Sequence, residues 1–198
     1  LGDVYKRQKE AGMNHFEVDD CLRSMVILVD TREQDTKRAR ERYGRFPCDY
    51  VRQALSYGDY AYNFVLPDGK RFLEYSSHEV ISPIVVERKM NLDELAGCFT
   101  RSRKRFEAEF AKAKENGARI YLLVENATWE KLLEGKYRSQ YNPAAFLASI
   151  LAWQNRYDLQ LIMCKEETTS TLIYEILKRD LKERLERGEF DLPAEDGA

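Results

Sequence analysis

The sequence predicts an α/β domain: a central mixed β-sheet flanked by α-helices. Three observations carry this. Short apolar runs of strand type recur at 25–29, 84–86, 120–124 and 159–163, each bounded by turn or charged residues and too short for a buried helix. Between them lie helix-periodic stretches with caps and stops. The strands cluster early and alternate with helices later, an order that suits a mixed sheet covered by helices. At 198 residues, 43% hydrophobic and 33% charged, the chain is long enough to bury one sizeable core.

The first residues stand apart. Asp3-Val4-Tyr5-Lys6-Arg7-Gln8 reads like a translated transposon end of the kind used to fragment sequencing libraries. Residues 1–24 are therefore expected to be an N-terminal extension, with about 1–8 an artefact and Met13 the natural start. A short helix is expected over 16–24. The strand at 25–29 is apolar throughout, as a centrally placed strand buried on both faces would be, and Asp30 sits where it leaves the core. A charged helix over 34–43 is stopped by Gly44 and Pro47, and 50–55 reads as a second strand. Gly58-Asp59-Tyr60 opens a third, running to 66. Pro67-Asp68-Gly69 then turns the chain, so that 71–75 returns as a hairpin partner and 81–89 follows.

Asn91 caps the next helix, with Glu94 placed to complete a capping box. Leu92, Leu95, Ala96 and Phe99 form one apolar stripe, and Phe106, Phe110 and Ala113 a second. Thr100-Arg101-Ser102-Arg103-Lys104-Arg105 lies between them, which fits either two helices joined at a kink or one helix with a basic band. After the strand at 120–124 comes a short helix at 128–133. Lys136, Tyr137, Arg138 and Tyr141 then form a loop that either stacks on unpaired bases or is simply exposed. Asn142-Pro143 starts a helix that is apolar nearly all round, as befits the core or a subunit interface. Thr168 or Thr169 caps the last helix, and 188–198 forms an acidic tail.

No apolar run approaches the roughly 18 residues of a membrane span. Cys21, Cys48, Cys98 and Cys164 are widely spaced and accompany only His15 and His78, which argues against zinc and for a reduced, cytoplasmic setting. A net charge of −2 gives no global attraction to nucleic acid, so any DNA contact must come from local basic patches.

The chemistry concentrates where Ile84-Val85-Val86 runs into Glu87-Arg88-Lys89. Side chains alternate along a strand, so Glu87 and Lys89 share a face and Arg88 takes the other. A carboxylate and an ammonium beside a second carboxylate such as Asp59 suit metal-assisted phosphodiester hydrolysis. The acids hold a hard cation through oxygen, and the lysine steadies attacking water or the charge developing on phosphorus.

Asp59 of Gly-Asp-Tyr, followed by Glu87-Arg88-Lys89-x-x-x-Asp93, resembles the GD…ERKxxxD signature of the XPF/Hef nuclease family, a branch of the PD-(D/E)XK superfamily. Ile27-Leu28-Val29-Asp30-Thr31-Arg32-Glu33 is similar to that family's first-strand motif. A lone ERK would mean little; the three motifs in this order, over about 25–125, are specific. The chain looks most like the stand-alone members of phages and bacteria. The resemblance implies a restriction-endonuclease-like fold, with 25–187 the nuclease domain, and a Mg2+- or Mn2+-dependent DNA endonuclease of repair, recombination or phage DNA processing. It implies catalytic roles for Asp59, Glu87, Lys89, Asp30 and Arg88, with the cation held by Asp59, Glu87 and Asp30 and supported by Glu33, Asp93 and Arg32. Arg101, Arg103, Lys104 and Arg105 either grip phosphate or form an ordinary solvated face; the family's basic residue near the active site corresponds loosely to Arg103 or Arg105, Arg103 first, because helical spacing from Phe99 to Phe106 turns it inward. The family's helix-hairpin-helix pair has no counterpart here, since no G-x-G occurs, so selectivity for branched DNA is left open. Analogy alone leaves open a homodimer through the nuclease domain. The alternative is a catalytically silent DNA-binding or scaffolding subunit; such members lose acids of the signature, and here Asp30, Glu33, Asp59, Glu87, Lys89 and Asp93 are all present.

Overall fold

The alternation of apolar runs and capped helices becomes, in a computed structural model that describes residues 12–75 and 78–191, one six-stranded sheet with helices on both faces. The expected artefact at 1–8 and the tail from 192 onward lie outside the described residues. In chain order the elements are α1 (His15–Arg23), β1 (Val26–Val29), α2 (Lys37–Tyr43), β2 (Tyr50–Arg52), β3 (Tyr60–Asn63), β4 (Ile84–Lys89), α3 (Leu92–Phe99), α4 (Arg103–Glu115), β5 (Arg119–Glu125), α5 (Trp129–Leu133), α6 (Pro143–Tyr157), β6 (Gln160–Cys164) and α7 (Thr169–Glu186). The sheet order is β2-β1-β3-β4-β5-β6. β3 runs antiparallel to β1 and β4 while the remaining pairs are parallel, so the sheet is mixed, as the sequence predicts.

Strand alternation sorts the core into two layers. Val85 joins Phe99, Phe106, Phe110, Phe146 and Trp153 under α3, α4 and α6. Its neighbours Ile84 and Val86 join Tyr60, Tyr62, Ile173, Leu177 and Leu181 under α7, where α1 adds Val18 and Cys21. Among the described residues no helix is long and apolar enough to cross a membrane.

Several local expectations resolve differently. The basic band separates two helices, because the Gly97 carbonyl accepts from both Thr100 N (3.3 Å) and Ser102 N (3.0 Å) and ends α3 there. Asn91 caps α3 through Glu94 N, but Glu94 returns its carboxylate to Met90 N rather than to the capping residue. The hairpin partner expected at 71–75 shrinks to a single bridge, Val65 to Arg71. The Asn63 side chain takes the place of the ladder, donating to Leu73 O at 2.7 Å and accepting from Leu73 N at 2.9 Å. α6 buries only Phe146, Ile150, Trp153 and Tyr157; alanines and a half-exposed Leu151 face outward, so small size rather than polarity marks its outer side. The start of the acidic tail is packed, with the Phe190 ring 5.1 Å from Phe64 and 5.0 Å from Phe72.

Trp153 is the centre of the first layer, with ring centroids 4.8 Å from Phe99, 5.0 Å from Phe106 and 5.4 Å from Phe110. Trp153→Ala should cost about 3–5 kcal/mol of stability, read as a lowered urea midpoint at unchanged m-value.

Candidate active site

The site forms where β1, β4 and β5 end and antiparallel β3 begins. Asp59 lies between the exits of β1 and β4: its N–H donates to Val86 O at 3.0 Å and its carbonyl accepts from Asp30 N at 2.9 Å. The chain reaches this position through Gly58, at φ +71°, where an added Cβ would sit 2.6 Å from Val85 Cβ. Only glycine can occupy that left-handed, close-packed position. Alternation then sets Asp59 on the same face of the sheet as Ala61 and Val85, and hence as Glu87 and Lys89. All three border a cleft of about 780 Å³ whose walls also include Arg38, Arg105 and Glu109.

Glu87 is 3% exposed. Its Oε1 accepts from Lys89 Nζ, and its Oε2 is buried with no hydrogen-bond partner. Burial, and then the Asp59 charge, push its carboxyl up to about 8. Burial raises Asp59 as well, against the Lys89 charge and the Arg88 N–H, which donates to Asp59 Oδ2 at 2.7 Å. For Lys89, burial pulls the ammonium down, but the Glu87 and Asp59 charges outweigh it and the group is held above its ordinary value. Lys89 Nζ also lies 5.2 Å from the centre of the Phe106 ring.

On the opposite face of β4, Arg88 enters a closed ring of charges, three of whose members, Arg88, Glu33 and Arg42, also border the cleft. Arg88 meets Glu125 at 3.2 Å and Glu33 at 3.7 Å, and Arg42 meets both acids at 3.9 Å. Neither threonine caps α7 through its side chain: Thr169 Oγ1 donates to Glu125 Oε1 and Thr168 Oγ1 to Lys165 O, each at 2.8 Å. Arg88 is thus set apart from Glu87 and Lys89, as alternation predicts. Burial and then Asp59 raise the Glu33 carboxyl, against Arg88 and Arg42.

The other expected residues divide. Asp30 reaches the site edge, but both its oxygens are taken: Oδ1 accepts Arg32 N (2.6 Å) and Nε (2.8 Å), Oδ2 accepts Arg32 Nη2 (3.0 Å) and Leu55 N (2.8 Å). Asp93 accepts from Arg138 N and Ser139 N, at 2.7 and 2.8 Å, and so ties α3 to the loop before α6. The inward placement of Arg103 is corrected. Arg103 is exposed and donates to Glu107, because the break at 100–102 resets the helical phase; Arg105 borders the cleft instead. Arg101 and Lys104 are exposed. Sequence reasoning missed Glu125, Arg42, Thr169 and Glu109. Glu125 alone had a signal: like Asp30 and Glu87, it is an acid ending an apolar strand run.

Two outcomes follow. Glu125→Ala leaves Arg88 and Arg42 with one buried counter-charge between them, and should cost about 3–5 kcal/mol in denaturant unfolding. Folded Glu87 holds its proton to about 8, against an ordinary value of 4.5, so the stability it contributes is complete below the lower value and is lost as pH rises through the upper one. In chelator-treated protein, Glu87→Gln should therefore flatten the fall of thermal midpoint across this window.

A profile of the ERCC4 domain matches residues 29–176. Among solved structures, XPF from Aeropyrum pernix is similar at 18% identity and a TM-score of 0.53, over 78% of this chain and 61% of that one. XPF from Aeropyrum pernix in complex with DNA is similar at 20% identity and the same TM-score of 0.53, over 81% of this chain and 66% of that one. The chain thus spans less than two thirds of either, and at such identity the likeness is one of fold. A comparison with curated proteins finds no match.

Proposed function

The chain belongs to the ERCC4 domain family, and on that premise we propose that it is a divalent-cation-dependent DNA endonuclease acting in DNA repair, recombination or phage DNA processing. One observation carries the reading: a buried, partnerless carboxyl oxygen on Glu87, on the same face as Asp59 and beside Lys89. The donor type fits the ion: Asp59 and Glu87 offer carboxylate oxygens, one of them buried and without a partner among the described residues, and Mg2+ or Mn2+ is held by one or two carboxylates with water and substrate phosphate. Among the described residues no group of three or more His, Cys, Asp or Glu is placed to hold a metal.

Asp59 and Glu87 would hold the cation, which when bound activates water and offsets charge on the scissile phosphate. Lys89 keeps its proton beside Glu87, and there orients the nucleophile or stabilises the charge developing on phosphorus. Asp30 is expected to act through Arg32 and the Leu55 amide, shaping the floor of the site rather than binding the ion. Arg105 and Lys112 border the cleft from α4, Lys112 paired with Glu79 at 3.1 Å, and would meet phosphates there.

The test is a labelled panel of flap, fork, junction, nicked and plain duplex DNAs incubated with Mg2+. Wild type should cut at least one, and Lys89→Met, which keeps the stem against Phe106, should lower cutting by about 100-fold or more at little cost in stability. Equal cutting by Lys89→Met would overturn the assignment of the lysine. No cutting of any substrate by wild type would favour the silent DNA-binding subunit.

A further inference from the structure

Gly58 poses an accounting problem that no strand solves. Around it, Ser56 N donates to Val80 O at 2.9 Å and Asp59 N to Val86 O at 3.0 Å. The Gly58 N–H points elsewhere and is received by Glu109 Oε1 at 2.9 Å, from the middle of α4. That bond joins α4 to the one turn whose backbone only glycine can adopt, directly before Asp59. Glu109 is itself steadied: Arg32, which holds Asp30, approaches it to 3.9 Å.

We infer that Glu109 is a positioning residue for Asp59: its carboxylate fixes the Gly58 amide, and so the turn that aims Asp59 into the cleft, acting as a hydrogen-bond acceptor and not as a metal ligand. Asp59 has its own backbone anchored on either side by Val86 and Asp30. The peptide between Tyr57 and Gly58 is held through its N–H by Glu109, and losing that acceptor would let it rotate at the start of β3. A second-layer contact of this kind typically changes metal affinity by about 10–100-fold when lost. The two roles are separable by chemistry. Glutamine keeps an acceptor and removes the charge, whereas leucine removes both at similar size.

The inference rests on the proposed cation site, and Mn2+ calorimetry on the full chain tests both apart. Glu109→Leu should weaken Mn2+ binding about 10-fold or more, and Glu109→Gln, which keeps an acceptor for the Gly58 amide but loses the charge that also acts on Glu87, should lose clearly less than the leucine variant. In an Asp59→Asn background, Glu109→Leu should change the remaining affinity little, because a residue acting through Asp59 has nothing left to position. Full affinity in Glu109→Leu, or a loss in Glu109→Gln as large as in the leucine variant, overturns the inference while leaving the cation site intact. Should Glu109→Leu fail to fold, judged by circular dichroism, Glu109→Ala replaces it, and the glutamine result stands as the deciding one. Wild type that binds no Mn2+ sinks the site and the inference together.

Discussion

Glu87 keeps a carboxyl oxygen buried without a partner, a defect that costs about 1–3 kcal/mol in an ordinary core. The surrounding architecture makes sense as the means of holding it there. β4 is central, with β3 on one side and β5 on the other, so its end is held on both flanks. Lys89 occupies one oxygen of Glu87, and among the described residues none hydrogen-bonds the second. Asp59 is locked onto the same face by two backbone hydrogen bonds and a glycine that no other residue can replace. Burial and the Asp59 charge raise the proton affinity of Glu87, and a cation is the natural means of relieving such a site.

The end of β4 carries an unsatisfied group on one face and a compensated one on the other. Around Arg88, two arginines and two glutamates pair in a ring that links α2, the loop after β1, β4 and β5, with Thr169 of α7 bonded to one of its acids, and Glu33, Arg42 and Arg88 of this ring border the cleft as well. Every charge in the ring has a counter-charge, even though Arg88 Nε lacks a hydrogen bond. What sets Glu87 apart is not its raised proton affinity, which Glu33 shares, but a buried oxygen left without a partner among the described residues. One three-residue stretch serves both faces, because successive side chains of a strand point to opposite sides.

What the sequence made legible was local or periodic. Asn91 and Asn142 announce their helices because a cap depends on residues two or three positions away. The shared face of Glu87 and Lys89 follows from a period of two. The ring could not be read, since Arg42 and Glu125 meet only after the sheet has brought distant segments together. Arg103 was misplaced for a definite reason: its phase was carried across a break that Gly97 O imposes, and the same reset turns Arg105 to the cleft. Asp30 was located correctly at the strand exit, but nothing in the sequence tells that the Leu55 amide and Arg32 fill both its oxygens. Threonine at the start of α7 looked like a cap, and its hydroxyl went to a buried acid instead.

The account turns on whether the orphaned oxygen of Glu87 and the carboxylate of Asp59 face a common ion. A crystal soaked in Mn2+ and measured at the manganese edge addresses this directly. The expected result is an anomalous peak within coordinating distance of both carboxylates, about 2–2.2 Å as for hard divalent ions, absent in Glu87→Gln, with the charge ring around Arg88 unmoved. A saturating soak that leaves this cleft empty, or a peak there that survives Glu87→Gln undiminished, would contradict it.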